Sequence, residues 1–237
     1  MDRPKTSSWR VSLTPYLTNI AQASAPFLTT FLMVHLSAPI VANLGGSSLS
    51  SQVMLLGREY YQTTFGERYL LLTPLFVHVG AASLKRIVAP RPPRSWTSIL
   101  TLTGYAAALV LLPIHYLTHR IYPTDLTPAI SSVGPSELDY EFVKTALHTW
   151  PVRSTLLYVA LVGGLALHAS EGMQVMLTHV VAGARGLSRR ARRVIAAGAV
   201  VPVLTGLLIL AREPLLAFGP MASRYRAAMI QSFVFRF

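Results

Sequence analysis

Long apolar runs separated by short polar segments dominate the pattern of hydrophobic and polar positions along this chain. Five runs hold about 20 largely apolar residues each, which is the length that a helix needs to cross a hydrocarbon core of about 30 Å. They cover residues 25–44, 69–88, 98–117, 156–175 and 194–210. The pattern therefore predicts an all-α integral membrane protein, a helical bundle of about five transmembrane helices in a single domain, 1–237.

The segments outside these runs are too polar to cross a membrane. Residues 1–24 are poor in acidic side chains and rich in hydroxyls, which predicts a solvated N-terminal arm. Residues 47–67 predict a half-polar helix at the interface, where Tyr and Arg side chains are favoured. Residues 211–237 are amphipathic and contain Arg224 and Arg226, so they predict an interfacial tail and not a sixth span.

Composition agrees with a membrane protein. The chain is 52% hydrophobic and 13% charged, whereas about a quarter of the residues in an ordinary soluble domain are charged. The net charge of +12 would suggest nucleic acid as a partner of a soluble protein, but no nucleic-acid recognition motif accompanies it. We therefore expect membrane lipids as partners, with anionic headgroups attracting the basic ends of the spans.

The basic residues also predict an orientation. With five spans, the N-terminus and the loops after the second and fourth spans lie on one side of the membrane. The positive-inside rule places this side in the cytosol, because it holds twelve of the 21 Lys and Arg: Arg3, Lys5, Arg10, Lys85, Arg86, Arg91, Arg94, Arg185, Arg189, Arg190, Arg192 and Arg193.

The absence of cysteine limits the chemistry. It excludes disulfides, iron–sulfur clusters, thiolate catalysis and covalently attached c-type haem, and it leaves His, Met and carboxylates as metal ligands. The sequence also lacks a serine nucleophile motif, a phosphate-binding glycine loop and paired carboxylates within a span. No catalytic activity is therefore predicted, unless the chain is a membrane haem oxidoreductase.

Four of the five spans carry one histidine each: His35, His78, His115 and His168. Ionisable side chains at this depth are rare and commonly functional. With a rise of 1.5 Å per residue, His78 and His168 come within roughly 4 Å of the same depth on antiparallel helices. His35 lies near mid-depth, and His115 is displaced by about 11 Å. His119, His148 and His179 are expected at the interface.

Bis-histidine haem b is the cofactor that best matches these positions, with one or two haems per chain. Two imidazoles ligate the iron axially and the porphyrin fills apolar space. Basic side chains near the span ends can hold the propionates, and the candidates are Arg58, Arg68 and Arg153 on one face and Lys85 and Arg86 on the other. The alternative is that each histidine bonds to a carbonyl or hydroxyl of the bundle. A zinc or di-iron site fits less well, because no Glu-x-x-His pair lies in a span.

Glu171 lies three residues after His168 and is costly at this depth unless it is protonated or paired. Two interpretations stay open. It is a proton-linked group beside a haem or quinone, or it faces a polar cavity or the end of a neighbouring helix.

Three stretches carry a family resemblance: LLGREYYQTTFGERYLLLTPLFVHVGAASLKR at 55–86, VHLSAP at 34–39 and ALHASEGMQVM at 166–176. The chain resembles the fungal mitochondrial outer-membrane proteins found as multicopy suppressors of a mitochondrial morphology and tethering defect. The resemblance covers nearly all of the spans. It implies a role in lipid homeostasis, as the mitochondrial receptor for a chorein-type bridge-like lipid-transfer protein at organelle contacts.

That family is in turn similar in helical pattern to the cytochrome b membrane anchors of succinate dehydrogenase and fumarate reductase. His168 and Gly172 match the His-x-x-x-Gly of the anchors, and two-haem anchors take ligands from four helices. One departure is Leu36, where the anchors have Arg, so a quinone site of the usual kind is not implied. Another is that the N-terminal arm lacks the family's Pro-x-Pro recruitment motif, for which Pro90 to Pro92 are the alternative.

The sequence thus leaves three functions open. The first is a haem-binding receptor or adaptor of the mitochondrial outer membrane in lipid transfer. The second is a transmembrane di-haem electron carrier, and the third is a helical anchor without a cofactor.

Overall fold

A computed structural model of the chain describes residues 8–91, 94–180 and 185–236. Over these ranges the protein is helical, without a strand, and five of the helices are long and apolar enough to span a membrane, which confirms the predicted class of fold. In chain order the helices are α1 (Ser8–Tyr61), α2 (Gly66–Val88), α3 (Ile99–Thr124), α4 (Tyr140–Thr149), α5 (Pro151–Val180), α6 (Arg189–Arg212) and α7 (Gly219–Ile230).

The spanning helices expose most of their side chains. Between 11% and 22% of the residues in each apolar window are buried within the protein. An apolar surface of this extent is stable next to lipid acyl chains and unfavourable in water. The fold therefore supports a multi-pass membrane protein.

The chain divides into two compact units, where the sequence predicted one domain. The first unit combines Met1–His35 with Gly57–Ser98, and the second combines Leu36–Leu56 with Ile99–Phe237. Residues 1–7 of the predicted arm lie outside the described residues, as does Pro92 of the Pro-x-Pro unit.

The first unit packs the start of α1 against α2. Residues 8–24, predicted as part of a solvated arm, are instead helical and continuous with the first span. The reason is an apolar stripe at four-residue intervals, Leu13, Leu17 and Ala21, which packs against Ala81 and Val88 of α2. Such spacing places all three side chains on one face of a helix.

A break at Gly45 and Gly46 interrupts α1 within the second unit. The sequence predicts the end of the first span at this position, and the backbone is indeed non-helical there. The break occupies only these two residues, however, and 47–61 continue as helix. Gly46 has φ +59° and ψ −151°, a conformation that is essentially restricted to glycine.

The end of the chain is part of the core of the second unit. The sequence predicts an interfacial tail over residues 211–237. Within this segment 219–230 form α7, whose Tyr225 and Met229 are buried in one cluster with Phe142 of α4. Arg224 does not prevent this packing, because it pairs with Glu137 at 3.2 Å and donates to backbone carbonyls. The tail is therefore a packed helix of the protein.

Within the second unit, α6 lies directly against the part of α1 that precedes the break. A side chain at Gly206 would overlap the carbonyl oxygen of Pro39. Asn43 donates to the carbonyls of Ile40 and Pro202 at 2.7 and 2.8 Å. The absence of a side chain at Gly206 thus allows two proline-containing helices to approach closely and be joined by Asn43.

Candidate functional site

His78 is fixed by α1 within the first unit. Its Nδ1 lies 2.8 Å from the carbonyl oxygen of Ala21 and 3.1 Å from the hydroxyl of Ser24. A carbonyl only accepts, so Nδ1 carries the proton and the lone pair of the neutral ring is on Nε2. Metal-ligating histidines commonly donate their other ring nitrogen to a carbonyl in this way.

His168 has the same arrangement within the second unit. Its Nδ1 lies 3.0 Å from the carbonyl oxygen of Leu100 at the start of α3, which again leaves the lone pair on Nε2. The ring lies over Gly104, where a Cβ atom would come 2.6 Å from Cε1 and 2.7 Å from Nδ1. Only glycine at position 104 leaves space for this ring.

His35 is surrounded by aromatic rings of the first unit. It stacks on Phe31 with ring centroids 5.2 Å apart and meets Tyr61 edge-on at 5.7 Å. Its Nδ1 lies 3.3 Å from the Tyr61 hydroxyl. These contacts resemble the packing alternative for a histidine in a span more than they resemble a carbonyl-oriented ligand.

His115 and His119 lie one turn apart on α3, with ring centroids 4.6 Å apart. His119, predicted at the interface, packs edge-on to Phe142 in the second unit and lies 3.3 Å from the hydroxyl of Tyr158. The difference has two causes: α3 continues for about two turns beyond its predicted end at residue 117, and α4 packs against it. Both histidines line a small cavity.

The cavity has a volume of about 20 Å³. Its lining includes Thr118, which is 2% exposed and whose hydroxyl has no hydrogen-bond partner among the described residues. The volume is enough for a single water-sized molecule and far below that of pockets for larger ligands. A porphyrin does not fit in this cavity.

The donor chemistry of His78 and His168 fits an axial haem ligand, since each ring is oriented through Nδ1. Among the residues that the structure describes, no three or more His, Asp or Glu converge as a metal site. This finding concerns only sites with three or more such ligands. It does not bear on a bis-histidine haem, which needs only two ligands from the protein.

Of the four arginines predicted to hold propionates, Arg153 lies in the second unit, where it donates to the carbonyl of Val234 at 3.4 Å. The other three lie in the first unit. Arg86 places its guanidinium 3.7 Å above the Trp96 ring and donates to the carbonyl of Arg94 at 2.7 Å. Arg68 lies in a wide first turn of α2, where its carbonyl accepts from Thr73 at 2.7 Å. Arg58 lies near the end of α1.

Glu171 is paired with a helix end. Its Oε1 lies 2.8 Å from Nε of Arg192, and Arg192 belongs to the first turn of α6. Of the two sequence interpretations, the structure supports the contact with the end of a neighbouring helix. Arg192 as the partner could not be identified from spacing, because 21 residues separate the two side chains.

The second unit contains a buried ionic cluster that the sequence did not predict. Lys144 of α4 is 0% exposed and lies 2.5 Å from Glu141 and 3.3 Å from Glu213. Glu213 also accepts two bonds from the backbone N–H of Ser47, which follows the break in α1. The cluster therefore ties together α4, the end of α6 and the restart of α1. The spacing of Glu141 and Lys144, i and i+3 on one helix, is the only signal that the sequence contained.

Further contacts extend this ionic cluster. Glu141 accepts from the backbone N–H groups of Leu216 and Ala217 at 2.8 and 3.1 Å. His148, predicted at the interface, lies with Nε2 2.9 Å from the carbonyl oxygen of Glu213. Burial raises the pKa of Glu213, but the hydrogen bonds from Ser47 and Lys144 outweigh it and hold the pKa below its usual value.

The fold and these contacts define a multi-pass helical membrane protein with oriented histidines inside its spans. The chain matches no protein-family model, no curated protein and no solved structure.

Proposed function

We propose that this chain is a haem-b-binding protein of the mitochondrial outer membrane, acting in lipid homeostasis as a receptor or adaptor for a chorein-type bridge-like lipid-transfer protein at organelle contacts. The cofactor part depends on one observation, the shared orientation of His78 and His168 through a carbonyl at Nδ1. The lipid-transfer part is supported by the resemblance of residues 34–39, 55–86 and 166–176 and by the five apolar helices.

In this proposal the protein orients the ligands and excludes water. The carbonyls of Ala21 and Leu100 fix each imidazole as the tautomer that presents Nε2, and Gly104 leaves space for the His168 ring. Haem iron with two imidazole ligands supplies one-electron chemistry when bound. His78 and His168 are the residues that would hold the group through imidazole nitrogen, which would favour a role in electron exchange or structural stability over oxygen activation.

The cofactor is tested by an absorption spectrum of the full chain, expressed with an adequate supply of haem. The expected result is a Soret band that is lost in His78→Ala and in His168→Ala. His148→Ala is the control, because His148 binds a backbone carbonyl at the ionic cluster, and it should retain the band. A wild-type protein without a Soret band, both as purified and after reconstitution with haem, would refute haem binding.

Recruitment is a separate test. Cells that overproduce the chain should accumulate a fluorescently tagged chorein-type lipid-transfer protein on mitochondria. The same cells with His168→Ala show whether the cofactor contributes to recruitment. If overproduction leaves the distribution of the tagged protein unchanged, the receptor role is wrong, whatever the spectrum shows.

A further inference from the structure

The start of α6 is braced against α5 in the second unit. Arg192 pairs with Glu171 of α5 and also donates to the carbonyl of Leu187 at 2.6 Å. Gln174 of α5 accepts from the backbone N–H of Leu187, and a side chain at Gly186 would overlap Gln174. We call these contacts of Glu171, Gln174, Gly186, Leu187 and Arg192 the brace. They fix Gly186 and Leu187, which lie just before α6, against α5.

The brace presents four further arginines. Arg185, Arg189, Arg190 and Arg193 are exposed. None of them takes part in an ion pair within the described ranges 8–91, 94–180 and 185–236. The brace thus neutralises one guanidinium of the run and leaves four positive charges together at one end of α6.

These arginines lie where a bilayer places its headgroups. The apolar residues 194–210 follow directly on Arg193 and span roughly 26 Å as helix, close to the thickness of a hydrocarbon core. Val194, Val201 and Leu208 along this stretch are each at least half exposed, as expected for a face in contact with acyl chains. A bilayer around residues 194–210 would therefore place these charged groups at the level of the lipid phosphates.

From this geometry we propose that Arg185, Arg189, Arg190 and Arg193 form a binding site for anionic phospholipid headgroups. Guanidinium groups bind phosphate oxygens in a bidentate manner and stay charged at any physiological pH. The positive end of the α6 dipole adds to the attraction. The inference does not depend on the haem or on the lipid-transfer partner.

Because of the brace, we expect selective binding of a lipid headgroup and not only electrostatic attraction between the protein and any anionic surface. Arginines on a mobile loop bind headgroups by charge alone. Arginines that are held in fixed positions favour a lipid whose phosphate fits between their guanidinium groups. Glu171 and Gln174 act here as positioning residues. Weakening the brace should lower the affinity for anionic lipid even when the change makes the protein more positive.

The test is native mass spectrometry of the full chain in detergent, titrated with dioleoyl phosphatidic acid and, for comparison, dioleoyl phosphatidylcholine. Arg189→Gln/Arg190→Gln/Arg193→Gln should lose roughly tenfold or more in affinity for phosphatidic acid. The control Arg212→Gln/Arg226→Gln/Arg236→Gln removes the same charge from other exposed positions and should bind nearly as the wild type does. Thermal melting identifies any variant that fails to fold.

Glu171→Gln distinguishes lipid binding at a site held by the brace from lipid attraction by the net charge of the protein. The proposal expects weaker phosphatidic acid binding despite the added positive charge. Tighter binding by Glu171→Gln, or equal losses in the two triple variants, would show that net charge alone attracts the lipid and would overturn the site. If the Arg189/Arg190/Arg193 variant keeps wild-type affinity, these arginines serve another partner, such as an acidic protein segment, and the proposal is wrong.

Discussion

Gly46 is the residue whose replacement the structure constrains most tightly. Its backbone conformation is one that side-chain-bearing residues rarely adopt, and a Cβ atom would overlap the carboxylate of Glu213. The overlap would disturb the same carboxylate that accepts the backbone N–H of Ser47.

Gly46→Ala should therefore destabilise the protein by about 1–3 kcal/mol, measured as a lower Tm in detergent. Gly198→Ala is the matched control, because a Cβ at Gly198 meets nothing within 4 Å and alanine favours a helix interior. It should melt at the wild-type temperature or above. Equal melting temperatures for the two variants would contradict the strained break.

Gly104→Ala tests whether the His168 ring is confined by its packing against position 104. A Cβ atom at position 104 would contact the imidazole at 2.6–2.7 Å, so the ring must move and weaken its bond to Leu100. We expect a loss of about 1–3 kcal/mol in stability and, if haem binds, a lower haem content. Gly163→Ala, which meets nothing within 4 Å, should change neither. A Gly104→Ala protein with wild-type Tm would mean that the ring is not confined.

At the scale of elements, the ionic cluster around Lys144 joins three helical segments of the second unit. Removing one partner of a buried ion pair costs about 3–5 kcal/mol, because an uncompensated charge remains buried. Lys144→Met should thus lower Tm by roughly 10 °C, and Glu141→Gln added to it should recover part of the loss. A single variant that melts as the wild type does would show that the cluster contributes nothing.

The same cluster predicts a response to acid. Since the pKa of Glu213 is lowered in the folded protein, the folded state binds fewer protons than the unfolded state. Its contribution to stability is present above the usual carboxyl pKa of about 4.5 and disappears as the pH falls through the folded value.

Glu213→Gln should therefore show a smaller fall in Tm between pH 6 and pH 4 than the wild type. Burial raises the pKa of Asp139, and this opposite effect is common to both proteins, so the difference between them isolates Glu213. A steeper acid response in Glu213→Gln would reverse the sign and contradict the assignment.

The elements differ in how far the sequence determines them. Uniform apolar runs predict where helices cross a membrane, because length and hydropathy alone decide this. The same criterion misses residues 8–24 and α7, whose helices are stabilised by packing against Ala81, Val88 and Phe142. Packing partners distant in the sequence leave only a faint local signal, such as the four-residue stripe of Leu13, Leu17 and Ala21.

The candidate site, like the fold, could be predicted only in part from the sequence. The histidines and their helices could be named from the sequence, but their partners could not. Rotation of a spanning helix about its axis is set by its neighbours, and an evenly apolar span gives little indication of it. The Ala21 and Leu100 carbonyls, the aromatic rings around His35 and the arginine that pairs with Glu171 therefore required coordinates.

At the scale of the whole molecule, five spans place successive loops on alternate sides of the membrane. Because the chain has no cysteine, a single introduced cysteine is its only thiol. Labelling of this thiol therefore shows on which side of the membrane the residue lies. Ser188→Cys lies beyond one end of α5 and Ser136→Cys beyond the other, and both positions are exposed.

For the proposed location in the mitochondrial outer membrane, a maleimide carried on a polyethylene glycol chain too large for the porins should label Ser188→Cys in intact mitochondria. This residue follows the fourth span on the side rich in arginine. Ser136→Cys should react only after the outer membrane is permeabilised. Labelling of both without permeabilisation would contradict a membrane-spanning α5. Labelling of Ser136→Cys alone would invert the orientation.

Ser47 and Glu213 meet across a sequence separation of 166 residues. A ribosome completes the first of these partners long before the last, so the nascent chain carries an unfinished polar junction through most of its synthesis. Until Glu213 has been made, Lys144 lacks one of its two carboxylate partners. Closure of the ionic cluster in the second unit therefore has to follow the synthesis of the fifth span, whose end supplies Glu213.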